Sequence, residues 1–406
     1  MRYFSVILLF LICTSSHAQI IDISQSPTLQ KGLTWIENQK TNSAESLIKI
    51  GGIISPSGQE QERAEAVMQE MKRIGLQDVR MDSGPNVIGI IPGQSAEQLV
   101  FVSTLDDLAG VAEHQKAASK LPFISDGKVI GPGTNTSSIT ISMLLAAEAI
   151  LETGIKPHYT LVFASVAQEE TGLQGMKLLY DEFKNDAIAF VDILGDGRSL
   201  SYGALGIHWW KIQVSGPPGH SLNGGLPNVN QGIGRAVDRI LSLDYPTKYK
   251  DQNTVINVGM IESGNVFNHK PEQGWFSLDI RSLDGKVIEE IETEVASLIA
   301  QVGEETGVEL KMEPFQLTPG GQIPGALESE LVTTGISISQ FLGYEPSLSN
   351  RGSSNLNVAI SQGTPALGLG GERGGRRGFP DEWADIETMN KSAKHVFLLA
   401  ALLGTK

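Results

Sequence analysis

The sequence predicts an α/β protein, a mixed sheet wrapped by helices, with an α+β unit inserted in it. Three observations lead there. Short runs rich in Val, Ile and Phe alternate with longer amphipathic stretches, as buried strands alternate with helices. After Ile207 the order becomes β-α-β-β-α-β, that of a ferredoxin-like unit, and the α/β pattern resumes after Leu317. The 45 glycines in 406 residues, with 40% hydrophobic residues, suit a globular chain with many tight turns.

The first 18 residues read as a targeting signal. Arg2 precedes the apolar run Phe4 to Cys13, and small residues end at Ala18, before Gln19. The run is too short to span a bilayer, so a membrane anchor is the weaker reading and an exported chain, periplasmic or secreted, is expected. Cys13 is the only cysteine and lies in the signal. The mature chain is therefore expected to have no disulfide, no thiolate nucleophile and no cysteine metal ligand. The formal net charge is −15, one unit more negative without Arg2. Such a surface disfavours nucleic acid and anionic membranes as partners.

Residues 27 to 50 have helical spacing. In the next stretch Ser57 and Glu60 form a capping-box pattern before a helix that Gly75 ends. Residues 86–93 and 98–107 read as strands, the second turning into a loop at Thr104. A glycine-rich loop then leads to a helix from about Ser138. The strand Leu161 to Val166 is followed by Gln168-Glu169-Glu170-Thr171-Gly172, and Val191 to Leu194 is a further strand. Past the inserted unit come a helix near Leu327 to Leu342, a loop at Arg351 to Ser354, a strand at Thr364 to Leu369, a Gly/Arg loop, and a last helix from Asp385. The expected division is signal 1–18, α/β domain 19–205 plus 318–406, and inserted lid or dimerisation domain 206–317.

Glu169 and Glu170 stand where a buried strand gives way to a loop, the usual place for ligands in an α/β sheet. One carboxylate could hold a metal while the other faces a reacting water. By itself the dipeptide fits an exposed acidic loop equally well.

The order of motifs resembles a known family, the co-catalytic zinc hydrolases that include aminoacylases, carnosinase-like dipeptidases and carboxypeptidase G (peptidase family M-twenty). SPSGQE before the helix at 61, VFASVAQEETG, VSGPPGHS, MIESGNVFNHKP, SLDIRSL, RGSSNLN and PDEW carry the resemblance, which covers almost the whole mature chain. It implies a zinc-exopeptidase-like catalytic domain of mixed α/β sheet with an inserted ferredoxin-like lid/dimerisation domain. It also implies a two-zinc site and pairing of two copies through the inserted domain.

This sequence departs from the family at the zinc ligands. The first His position is Thr104, in STLDD. The bridging Asp position is Thr136, in GPGTNTSS. The last His position is Gly378. Glu170 and Asp196 remain as residual metal positions, Glu169 as the catalytic base, and Asp106 as the family's partner to a His that is missing. Imidazole and carboxylate are what zinc accepts without cysteine, so the usual centre is not expected. Zinc or another divalent cation is expected only if another His, His114 first, rescues the site. His395 reads as packing.

The resemblance further implies that His220, Asn268, Arg281 and Asn357 line the substrate pocket. Ordinary readings stand beside these: Asn268 fixing a turn, Arg281 pairing with Asp279. Arg373, Arg376 and Arg377 form a local positive patch near the lost His, either a solvated loop or guanidinium charge in place of metal charge. The expected function is a hydrolase-type protein acting on the amide C–N bond of a peptide or N-acyl amino acid, with an altered or absent metal site. The alternative is an inactive relative that binds such molecules.

Overall fold

The computed structural model describes residues 23–405. The expected signal, residues 1–18, lies outside them. The chain begins with helices α1 (Pro27–Asn38), α2 (Lys40–Gly51) and α3 (Gln61–Ile74), then strands β1 (Gln77–Met81), β2 (Val87–Ile91) and β3 (Gln98–Thr104). Helix α4 (Ala109–Ala117) and the long α5 (Thr134–Thr153) lead to β4 (Thr160–Val166), α6 (Gln174–Phe183), β5 (Ala187–Ile193) and β6 (Ser199–Ser201). The inserted unit runs β7 (Gly206–Ser215), α7 (Val229–Leu241), β8 (Gln273–Ser282), α8 (Gly285–Thr306) and β9 (Glu309–Thr318). The chain closes with α9 (Glu330–Phe341), β10 (Ser347–Ser349), α10 (Leu356–Ser361), β11 (Ala366–Gly370) and α11 (Ile386–Gly404).

The main sheet has eight strands in the order β1-β2-β4-β3-β5-β11-β6-β10. Strands β4, β3, β5 and β11 are mutually parallel at its centre. Both faces of these strands are buried, which explains their continuous apolar runs. Leu99, Phe101, Leu161 and Phe163 turn to the face covered by α1, α2, α5 and α11. Val100, Val102, Val162 and Ala164 turn to the face covered by α6 and α10. Phe101 and Phe163 stack at 5.4 Å between ring centroids.

The inserted unit folds its own antiparallel sheet, Val255–Asn257 beside β8, then β7 and β9. Helices α7 and α8 cover one face over a core of its own. This is the strand order of the ferredoxin-like arrangement expected from the sequence. The chain leaves the main domain at Ala204 to Gly206 and returns at Thr318 to Gly321, where Ala204 and Gly321 exchange backbone hydrogen bonds. A Cβ on Gly320 would meet the Gly206 nitrogen at 2.0 Å, so the two crossings need glycine there. No described helix is long and apolar enough to cross a membrane.

Two local expectations are corrected. Helix α5 starts at Thr134 rather than near Ser138, so Thr134 to Ser137 form its buried first turn. Helix α3 starts at Gln61 with Glu60 as its N-cap residue, and no capping box forms. Ser57 instead reaches Asp106 just past β3, and Glu60 reaches the loop after β4.

Candidate active site

Glu169 and Glu170 follow β4 at the C-terminal edge of the parallel strands. Their loop is fastened from two sides. Glu60 Oε1 accepts from the Gly58 and Gln168 backbone N–H groups at 2.8 and 3.0 Å, and Gln168 sits at φ 54°. Asp106, just past β3, accepts from Glu169 N at 2.9 Å, Glu170 N at 3.1 Å and Ser57 Oγ at 2.6 Å. Asp106 is fully buried and ties that turn to Ser57. Expected as the partner of a missing His and among the catalytic residues, Asp106 here accepts from the backbone of the Glu-Glu loop.

The Glu169 carboxyl has no hydrogen bond or ion pair within the described residues. Burial first, then the charges of Glu170 and Asp106, push it up to about 8. Glu170 Oε1 accepts from Arg377 Nη2 at 2.5 Å. Burial pushes the Glu170 carboxyl up, against the pull of Arg377. Arg373 is within charge reach of both carboxylates and of Glu382, and among the described residues it donates to none of them. Dense protein around its guanidinium, and then the charge of Arg377, lower it to about 10.

The Gly/Arg loop is an ordered hairpin rather than a solvated tether. Gly374 and Gly375 pair with Ala384 and Trp383. Glu382 Oε1 accepts from Gly133 N at 2.7 Å and Asn135 N at 3.4 Å, and its Oε2 accepts from Gly378 N at 3.0 Å. This carboxylate ties the arginine loop to the start of α5. Arg376 turns away, pairing with Asp381 at 2.7 Å over the Phe379 ring.

Each expected metal position is occupied by other bonds. Thr104 Oγ1 accepts from Asn355 Nδ2 at 3.2 Å, and the same amide reaches Asp192 Oδ1 at 3.4 Å. Asp192 Oδ2 accepts from Ser354 Oγ at 2.5 Å and Leu356 N at 3.2 Å, and burial pushes its carboxyl up. Thr136 stands close to Asp107, which pairs with the buried Arg63 at 2.6 Å. Gly378 sits at φ 87°, where a histidine would be strained.

Asp196 is a second correction. Its oxygens accept from Arg198 Nε at 2.9 Å, Tyr344 Oη at 2.8 Å and Glu372 N at 3.2 Å, away from Glu169. The acid that the strand end brings beside Thr104 and within charge reach of Glu169 is Asp192. His114 lies on α4, not in a loop, and bonds to none of these groups. Among the described residues no three His, Cys, Asp or Glu side chains are placed to hold a metal ion. The residues present do not fit a two-zinc centre.

The expected substrate residues divide. His220 and Asn268 meet: Asn268 Nδ2 lies 3.0 Å from His220 Nε2, and His220 pairs with His269 in a short ladder. Neither bonds to the Glu169 cluster. Arg281 is held by Asp279, with its Nε 3.0 Å from Oδ1 and its Nη2 3.1 Å from Oδ2. Asn357 is corrected. It is fully buried and donates to Leu205 O at 3.0 Å and Pro319 O at 2.9 Å, clasping the two crossings to the inserted unit.

A large mixed α/β sheet carrying acid residues at its strand ends, with a ferredoxin-like unit inserted, is a fold this chain shares with solved peptidase structures. Two families match by sequence: the peptidase dimerisation domain over residues 202–307 and peptidase family M28 over residues 86–202. Aminopeptidase PepT of Bacillus cereus is 19% identical with a TM-score of 0.75, covering 89% of this chain and 97% of that one. A Staphylococcus aureus tripeptidase is 19% identical with a TM-score of 0.76, covering 90% and 98%. The Bacillus subtilis YXEP protein, a dinuclear metal-binding peptidase from the M20 family, is 15% identical with a TM-score of 0.65, covering 91% and 99%. No curated protein sequence matches significantly. In its matched segments the chain resembles peptidase families, and over nearly its whole length it shares the fold of M20-type peptidases.

Proposed function

We propose that this chain is an exported M20-type protein that takes a peptide or N-acyl amino acid into the Glu169 cleft without a two-zinc centre. One observation carries the reading. Arg377 pairs with Glu170 at 2.5 Å, and the uncommitted guanidinium of Arg373 lies beside it. Fixed positive charge thus stands among the carboxylates where the resemblance implies cations. A free guanidinium suits the carboxylate of such a ligand, which it can hold by two parallel bonds.

The chemistry at the amide C–N bond rests on Glu169. It is the carboxyl of the cluster with no partner of its own, so it is the group placed to exchange a proton with an attacking water or a leaving amine. Without a cation the water keeps its ordinary acidity, and turnover is slow beside two-metal hydrolysis. Capture of the intact ligand is the alternative, favoured by the same loss of metal groups. Export rests on the N-terminal pattern, and pairing of two copies on the dimerisation domain.

The test uses the mature protein, its Arg373→Ala and Glu169→Gln variants, and a panel of dipeptides and N-acyl amino acids with and without zinc. Thermal stabilisation by panel members, lost in Arg373→Ala, supports the reading. Zinc-free consumption that disappears in Glu169→Gln selects hydrolysis, and stabilisation without consumption selects capture. Turnover only with zinc, or neither stabilisation nor turnover, sinks the proposal.

A further inference from the structure

The inserted sheet has an outer face, opposite its helices, that carries none of the Glu169 cluster's residues. Along β7 and β8, Ile212, Val214, Phe276, Leu278 and Ile280 turn inward to the core under α7 and α8. By strand alternation Trp209, Lys211, Trp275, Ser277 and Asp279 belong to the opposite face. A cavity of about 490 Å³ opens there, walled mainly by Trp209, Trp275, Phe315 and Met260. Small-molecule sites usually measure ~300–1,000 Å³ and combine apolar walls with a few polar groups.

Two local devices build the pocket. The register of β9 on β7 shifts between Pro314 and Gln316, which leaves Phe315 as the extra residue. A bulge of this kind re-aims a side chain, and Phe315 stands 74% exposed with its ring 6.5 Å from that of Trp209. Across the pocket, Ser277 Oγ accepts from the N–H groups of Gly259 at 3.1 Å and Met260 at 2.9 Å, fixing the loop that carries Met260.

The charges at the rim differ in their commitments. Asp279 is neutralised by Arg281. Lys211 Nζ lies 4.5 Å over the Trp275 ring and forms no ion pair among the described residues. The pocket therefore joins aromatic walls to one available ammonium.

We infer that this pocket binds a small aromatic carboxylate, its ring held between Trp209, Trp275 and Phe315 and its carboxylate on Lys211. Aromatic rings favour stacked and edge-on partners of this kind, and the ammonium selects an acid over its neutral counterpart. None of the residues lining the pocket belongs to the Glu169 cluster, and the inference does not depend on the function proposed for that cluster.

The test is calorimetric titration of the mature full-length protein with indole-3-acetate and with the uncharged indole-3-ethanol, at low salt. The expected result is saturable 1:1 binding of the acid, about fivefold tighter than the alcohol. Phe315→Ala weakens both by roughly tenfold, and Lys211→Gln removes the preference for the acid while leaving the alcohol's affinity in place. Both side chains lie at the surface, and an unchanged melting temperature checks the fold of each variant. Absence of saturable binding, equal affinity in Phe315→Ala, or loss of binding in Glu169→Gln overturns the inference. A wild-type dimer that Phe315→Ala converts to a monomer, with no acid bound, also overturns it and assigns the face to contact between copies.

Discussion

Two arginine–carboxylate pairs flank neighbouring strand ends, and they are opposites. Past β3, Arg63 and Asp107 meet at 2.6 Å with side chains 1% and 0% exposed. Arg63 also donates to Leu105 O at 2.8 Å and to Ile53 O, so its guanidinium is tied into the backbone. Past β4, Arg377 and Glu170 meet at 2.5 Å with side chains 40% and 24% exposed. The same ion pair does different work in the two surroundings. Buried, it must be complete, because a lone charge there is costly. Half-exposed, it contributes little stability and leaves charge at the surface of a cleft.

The largest expected effect tests the buried pair. Arg63→Met leaves Asp107 unpaired and lowers unfolding stability by ~3–5 kcal/mol in urea titration. A loss below ~1 kcal/mol would break the contrast between the pairs. His395 supplies a burial control, being fully buried in α11 with no acidic partner. Burial lowers its pKa to about 4 from 6.5. The unfolded chain then takes up the proton first, so this contribution is complete above pH 6.5 and is lost as pH falls toward 4. The loss approaches ~3 kcal/mol, and a His395→Gln variant shows a flatter stability profile over that window.

Asp106→Ala removes the acceptor of two backbone N–H groups and of Ser57, costing ~2 kcal/mol by thermal unfolding. It also loosens the Glu169 turn, so amide exchange at Glu169 and Glu170 rises. Unchanged exchange there would show that Glu60 alone holds the loop. The smallest effect belongs to the open pair: Arg377→Ala changes stability by less than ~1 kcal/mol, and added salt narrows that difference.

Much of the architecture was legible in the sequence because strand and helix periods report burial directly. The parallel strands read as apolar runs, the inserted unit as a change of pattern at Ile207, and Glu169–Glu170 as acids at a strand end. The side-chain commitments were not legible. Asp192 hides inside a strand, whereas Asp196 sits in a Gly-Asp-Gly turn that looks like a ligand loop. Glu60 carries the spacing of a capping box, but its carboxylate serves Gln168, a residue far off in sequence. Asn357 and Glu382 fasten loops brought together only by the fold. Such bonds leave no periodic trace. The arginine loop was ambiguous for the same reason: its glycines suggest freedom, and only the pairing with Trp383 and the bonds to Glu382 remove it.

Around Glu169, guanidinium charge and side-chain hydrogen bonds stand where the resemblance implies zinc. Competitive titration of the metal-stripped mature protein with zinc, against a chromophoric chelator of micromolar affinity, tests this most directly. The protein is expected to take no zinc from the chelator. Uptake of one or two equivalents, abolished by Glu170→Gln or Asp192→Asn, would contradict it.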